Sequence, residues 1–224
     1  MRTTAIKKTF PLAISAIPFG IVMGTSTFNA QFDTIQMLYM NLMMFAGASQ
    51  LAFIELFLVN SPNLIILISC LLINSRMFLY SLALFEEFKD LSFLKKILLS
   101  YFVIDQTYVV YEESKDNLKT KEERFQFFLT SGLFMFSFWM LGVCIGYFIG
   151  DILPFKEDLD FLVPLVFIGI FGSKLKTHIA RIVFGTAVIL SLLCFGLPYN
   201  LGLLVSSISA MFLGVILVNK ESIK

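Results

Sequence analysis

Five stretches of the chain contain no Asp, Glu, Lys or Arg: 9–32, 34–54, 56–75, 125–150 and 182–219. They are 24, 21, 20, 26 and 38 residues long. About 20 predominantly apolar residues let a helix cross a bilayer. The pattern predicts a first span over 9–28, broken near Pro18-Phe19-Gly20, where proline removes a backbone donor and glycine loosens the turn. A second span over 36–59 and a third over 63–85 follow, with Ser61-Pro62-Asn63 as the turn between them. Segment 91–111 reads either as a fourth, amphipathic span or as an interfacial helix. The charged stretch 112–124 is aqueous, and a span over 125–150 follows it. A polar turn at 151–160 leads to a short span at 161–173. A final pair, 178–196 and 200–218, turns at Gly196-Leu197-Pro198-Tyr199-Asn200. The apolar runs are continuous rather than alternating, which excludes a membrane barrel. The expected fold is all-α: a polytopic transmembrane helical bundle of about eight spans, or seven if 91–111 does not cross. It forms one integral membrane domain, 1–224, with helical halves at 9–111 and 125–218.

Composition excludes several function classes. Of 224 residues, 58% are hydrophobic and 15% charged, and 26 are Phe; mean hydropathy is +0.85. A soluble domain of this size cannot hide that much apolar surface, so a soluble enzyme and a disordered chain are poor readings. The net charge of +1 offers no handle on nucleic acid. Cys70, Cys144 and Cys194 lie far apart inside apolar runs, without a C-x-x-C pair, and read as small buried residues. Neither a metal site nor a cofactor is expected. The basic start, with Arg2, Lys7 and Lys8, has the flavour of a secretory signal, but Pro11 and Pro18 interrupt the apolar stretch that follows.

Lys and Arg distribution sets orientation. Eight spans place Lys89, Lys95, Lys96 and Lys156 outside and the other loop cations inside. Seven spans exchange Arg2, Lys7 and Lys8 for Lys89, Lys95 and Lys96, so the ratio is unchanged. Eight spans, with residues 1–8 cytoplasmic, suit the basic flank of the first helix. The C-terminus is cytoplasmic in both. A weak internal repeat, one Gly- and Pro-marked span in each half, fits a transporter built from related halves.

Polar residues at membrane depth are costly and usually have a use. In Phe45-Ala46-Gly47-Ala48-Ser49-Gln50, the small residues permit close approach, of another helix or of a substrate, and Ser49 and Gln50 add hydrogen-bonding groups. In Asn74-Ser75-Arg76, Arg76 lies deep in the third span and cannot shed its charge. It must pair, reach an interface or bind an anion, and a guanidinium holds a carboxylate in two parallel hydrogen bonds. Asp105 is intramembrane if 91–111 spans. It could pair with Arg76, bind an ammonium or carry a proton. Glu55 falls near an interface, and His178, the single histidine, lies in a polar turn. No H-E-x-x-H or G-x-S-x-G is present, and Gly150-Asp151 lacks the second glycine of an intramembrane aspartyl protease motif.

Pro18-Phe19-Gly20, Phe45-Ala46-Gly47-Ala48-Ser49-Gln50, Ile73-Asn74-Ser75-Arg76 and Asp105-Gln106-Thr107 occur in an order and spacing that resemble the AzlC family, the large subunit of bacterial branched-chain amino-acid exporters. Residues 10–111 carry nearly all of the resemblance. It implies efflux of leucine, isoleucine, valine and perhaps methionine across the bacterial cytoplasmic membrane, with a small AzlD-type partner subunit. Family members more often carry an acid where Gln106 stands. The expected activity is secondary active export driven by proton exchange, not catalysis; the alternatives are transport of another small amino acid or weak acid on the same fold and, in a different class, a membrane-embedded enzyme or structural membrane subunit. Arg76 is expected to hold the substrate carboxylate, with Ser49, Gln50, Asn74, Gly47 and Gly20 around it. Asp105 is expected to bind the ammonium or carry the proton. A homo-oligomer stays open as an assembly.

Overall fold

The computed structural model describes residues 2–150, 175, 177–197 and 201–222. The polar turn at 151–160, the short span at 161–173 and Pro198-Tyr199-Asn200 lie outside the described residues. Every regular element among those described is helical: α1 (Arg2–Asn29), α2 (Thr34–Met43), α3 (Gly47–Leu58), α4 (Asn63–Phe88), α5 (Phe93–Tyr101), α6 (Asp105–Glu112), a single 3-10 turn (Lys115–Asn117), α7 (Lys121–Ile149), α8 (His178–Leu193) and α9 (Leu201–Ser222). Helices α8 and α9 form the expected final pair and pack on each other.

Helices α1, α4 and α7 have 28, 26 and 29 residues and are apolar enough to cross a membrane. At about 1.5 Å per residue each outruns a hydrocarbon core of about 30 Å. α1 is continuous through Pro11 and Pro18, so the first helix is not broken as its sequence predicts. Proline has a helical φ, and the one backbone bond lost at Pro18 does not outweigh the packing of this helix along α7.

Polar contacts define two ends of the bundle. At the basic end, Lys8 Nζ donates to Ser114 Oγ at 3.0 Å, Lys95 pairs with Glu122 at 3.0 Å, Lys121 pairs with Asp90 and Arg124 with Glu87. These contacts gather the starts of α1, α5 and α7 with the ends of α4 and α6. At the far end, Tyr147 Oη donates to the Phe32 carbonyl at 2.7 Å, and the Phe32 and Phe57 rings meet at 5.7 Å. The end of α7 therefore sits beside both the start of α2 and the end of α3.

Neither 36–59 nor 91–111 is a span. Each is a re-entrant helical hairpin that leaves and returns to one end of the bundle. α2 and α3 dip from the far end and break at Met44–Ala46; α5 and α6 dip from the basic end and break at Phe102–Ile104. The tips meet inside the bundle: Tyr101 Oη donates to the Leu42 carbonyl at 2.9 Å, and the Phe45 and Tyr101 rings stack at 6.2 Å. Irregular backbone at membrane depth is tolerated where protein covers it, and Phe45, Ala46, Phe102, Val103 and Ile104 are all buried. Local chemistry enforces the turn-backs at the far end. α1 and α3 both finish in a Schellman motif, with Gln31 at φ 59° and Asn60 at φ 52°. Phe32 N–H bonds the Thr27 carbonyl, and Ser61 N–H bonds the Leu56 carbonyl. Asp33 and Gln36 then close a capping box that starts α2.

The order is a long helix followed by a hairpin, twice, in opposite directions: α1 with α2–α3, then α4 with α5–α6. This is an inverted repeat within 2–112; the relation between chain halves expected from Gly and Pro involves 151–173, which lies outside the described residues. Both inner arms begin alike. Ser49 Oγ donates to the Ala46 carbonyl at 2.9 Å, and Thr107 Oγ1 to the Ile104 carbonyl at 3.0 Å.

Helix α7 runs parallel to α1 on a glycine seam. A Cβ on Gly24 would lie 2.1 Å from the Val143 carbonyl oxygen, and one on Gly146 would lie 2.1 Å from the Ile21 carbonyl oxygen. Gly20 belongs to this seam: a Cβ there would meet the Trp139 carbonyl oxygen at 2.8 Å. Its expected place at the substrate is corrected to helix packing.

Candidate functional site: a cavity between two half-helix N-termini

The hairpin tips, α1, α4 and α7 enclose a cavity of about 490 Å³. Ala46, Gly47 and Ala48 reach it from the start of α3, and Ile104, Asp105 and Gln106 from the start of α6. The first amides of a helix have no intrahelical acceptor and carry the positive end of the helix dipole. Two such ends, from opposite directions, face this one space. Side chains cover several carbonyls of the opposing half-helix C-termini. Tyr101 Oη covers the Leu42 carbonyl at 2.9 Å, Gln50 Nε2 the Met40 carbonyl at 3.3 Å, and Thr107 Oγ1 the Phe102 carbonyl at 2.5 Å. The amides at the two helix starts suit an anionic group.

Arg76, halfway along α4, extends into the cavity. Its Nη1 lies 3.0 Å from Asp105 Oδ2, and the two side chains are 36% and 32% exposed. The pair is thus open to whatever fills the cavity. Tyr80, one turn beyond Arg76 on α4, donates from Oη to Asp105 Oδ1 at 2.7 Å. Its ring stacks on Tyr108 at 4.5 Å. Arg76 Nε and Asn74 Oδ1 are buried without a hydrogen-bond partner among the described residues. Leu12, Phe19, Met77, Val109, Met135 and Trp139 supply an apolar wall.

Of the residues singled out in the sequence, Gly47, Arg76 and Asp105 line this cavity. Ser49 and Gln50 do not. Both are fully buried and brace the break between α2 and α3. Asn41 is the hub of that brace. Its Oδ1 accepts from Gln50 Nε2 at 3.3 Å and from Trp139 Nε1 at 3.1 Å, and its Nδ2 donates to the Met37 carbonyl at 2.9 Å. Trp139 is thereby held over Gly47, where an added Cβ would strike its ring at 2.6 Å and Phe19 at 2.7 Å. Asn74 lies on α4 near the site but does not line it. Asn41, Trp139, Tyr80 and Tyr101 were not anticipated. Signals existed: a lone Asn in an apolar run, the single Trp, and a Tyr one helical turn from Arg76. His178 starts α8, away from this cavity's lining. No group of three His, Cys, Asp or Glu side chains is placed to hold a metal among the described residues.

The chain is similar to membrane proteins of unassigned function. An uncharacterized membrane protein of Helicobacter pylori strain J99 is 26% identical over 97% of this chain and 96% of its own length. A counterpart in strain 26695 is 23% identical over the same shares. One from Haemophilus influenzae is 23% identical over 79% of this chain and 75% of its own. No solved structure shows a significant match. The model of the AzlC protein family matches residues 11–153, a segment that contains every residue lining the cavity, and the chain therefore belongs to the AzlC family of transport-associated membrane proteins.

Proposed function

We propose that this chain exports branched-chain amino acids from the bacterial cytoplasm in exchange for protons, together with a small AzlD-type membrane subunit. The observation that carries the reading is the convergence of two half-helix N-termini, Arg76 and Asp105 on one cavity with an apolar wall. Discontinuous helices that aim their N-termini at a substrate carboxylate are a recurrent transporter device. In this reading Arg76 and the amides of Gly47 and Ala48 take the carboxylate. Asp105 takes the ammonium, and the wall from Leu12 to Trp139 takes the aliphatic side chain. The resting ion pair between Arg76 and Asp105 is then a stand-in for the zwitterion, which replaces each partner with its own opposite charge. Protonation of Asp105 releases Arg76 and links proton movement to substrate exchange. Orientation follows from charge: all ten Lys and Arg of 2–150 other than Arg76 belong to the basic end, which the positive-inside rule assigns to the cytoplasm. Leu12, Ser15 and Val109 line the cavity on that side of the tips, the side from which substrate enters in this reading.

Leucine efflux from loaded cells tests this. Arg76→Ala is expected to abolish efflux at unchanged membrane abundance. Asp105→Asn is expected to lose proton-driven transport. Full-rate efflux in Arg76→Ala overturns the assignment, and counterflow of other amino acids and weak acids in liposomes decides between leucine and another small substrate.

A further inference from the structure

Helix α5 packs on α7, and a second, smaller cavity of about 170 Å³ opens between it and the last turns of α4. Its floor is apolar: Leu84, Phe88, Leu99, Val103 and Phe128 line it and all are buried. Val103 belongs to the hairpin break, at the depth of the tips. Lys89 and Lys96 stand at the other end of the groove, beside the basic end. The seven steps from Lys96 to Val103 cover about 10 Å of depth. The groove thus runs from apolar in the interior to cationic at the membrane surface, which is the polarity of one phospholipid in that leaflet.

The charges around the mouth are mostly committed. Lys95 binds Glu122 at 3.0 Å and lies 4.5 Å over the Phe125 ring. Asp90 is held by Lys121. Lys89 shares the groove mouth while bonding Glu86 at 2.5 Å. The Lys96 side chain is exposed and makes no hydrogen bond or close ion pair among the described residues, although its charge reaches Asp90. A cation left open above an apolar floor is suited to a phosphate that carries an acyl chain. A free phosphate would leave the floor uncovered.

We propose that this groove binds one anionic phospholipid of the basic-end leaflet, its acyl chain on Leu84, Leu99 and Val103 and its headgroup at Lys96 and Lys89. The lipid would hold the outer arm of the α5–α6 hairpin against α4, and that hairpin continues directly to Asp105. The site stands independently of which substrate the central cavity takes.

Native mass spectrometry of the full-length protein tests it, with equimolar phosphatidylglycerol and phosphatidylcholine of the same acyl chains. The wild type is expected to retain one phosphatidylglycerol with a preference of about tenfold or more. The double variant Lys89→Gln/Lys96→Gln is expected to fall to parity. Both lysines are exposed, so it should fold, and helical circular dichroism checks this. Lys119→Gln, at the same end but outside the groove, is expected to keep the preference. Leu99→Trp, which fills the floor, is expected to lose retention with the lysines intact. Equal retention of the two lipids by the wild type overturns the proposal. So does a preference that survives in the double variant, since that would place the attraction in the basic end as a whole.

Discussion

Arg76 and Asp105 neutralise each other in the cavity, yet neither is sealed from it, and their neighbours differ in kind. Tyr80 is bonded to the carboxylate, so Tyr80→Phe removes one donor and leaves the ring stack on Tyr108 in place. The expected effect is on substrate handling, a several-fold change in leucine efflux at normal abundance. Trp139 has a structural job as well as a place in the wall. Trp139→Phe keeps most of the ring but leaves Asn41 Oδ1 with Gln50 as its one donor, and should cost about 1 kcal/mol in unfolding experiments. Asn41→Leu leaves the buried Trp139 Nε1 without its acceptor and Gln50 Nε2 with the Met40 carbonyl alone, and should cost more, about 1–3 kcal/mol. Arg76, Asp105 and Gly47 were legible in the sequence because a charge inside an apolar run, or a glycine next to small residues, is conspicuous without knowing the fold. Ser49 and Gln50 were just as conspicuous, but their direction was not. The break at Met44–Ala46 resets the helical phase, so spacing along the chain no longer tells which side a residue faces.

At the scale of elements, hydropathy found α1, α4, α7, α8 and α9 and misread the two hairpins as a span and a span-or-surface helix. The reason is physical. An arm that dips to membrane depth and returns needs the same apolar residues as one that crosses, so a run of 20-odd such residues cannot distinguish crossing from returning. The turn-back is written in weaker signals, Gln31 and Asn60 in the left-handed region and the Asp33 cap. Single cysteines in a cysteine-free background check the topology. Gln31→Cys and Asn60→Cys should react with an impermeant reagent from one face, and Asp116→Cys from the other. Labelling of positions 31 and 60 from opposite faces would restore 36–59 as a span. The clamps at the basic end have a pH signature. Lys121 holds the Asp90 carboxyl below its ordinary range. A lowered carboxylate contributes its full stability above the unfolded value, near pH 4, and loses it as pH falls through the lowered one. The thermal midpoints of wild type and Asp90→Asn should therefore differ at neutral pH and converge in acid.

Across the whole molecule, the inverted repeat and the glycine seam divide the structure into two parts with different packing. Gly20 and Gly24 of α1 meet Gly142 and Gly146 of α7 backbone to backbone. A side chain at Gly146 would collide with main chain that has no rotamer to yield. Gly146→Leu is expected to lower unfolding stability by about 1–3 kcal/mol or prevent folding, measured by chemical denaturation in detergent. Around that seam, α4 and the two hairpins meet the cavity through side chains and capped breaks. The seam gives the molecule a stator: a paired shaft whose registration cannot slip by even a methyl group. Any motion that hands the cavity from one face of the membrane to the other must then belong to the parts mounted on it. Covalent staples between α1 and α7 should leave transport running, whereas a staple from α4 to α1 should stop it.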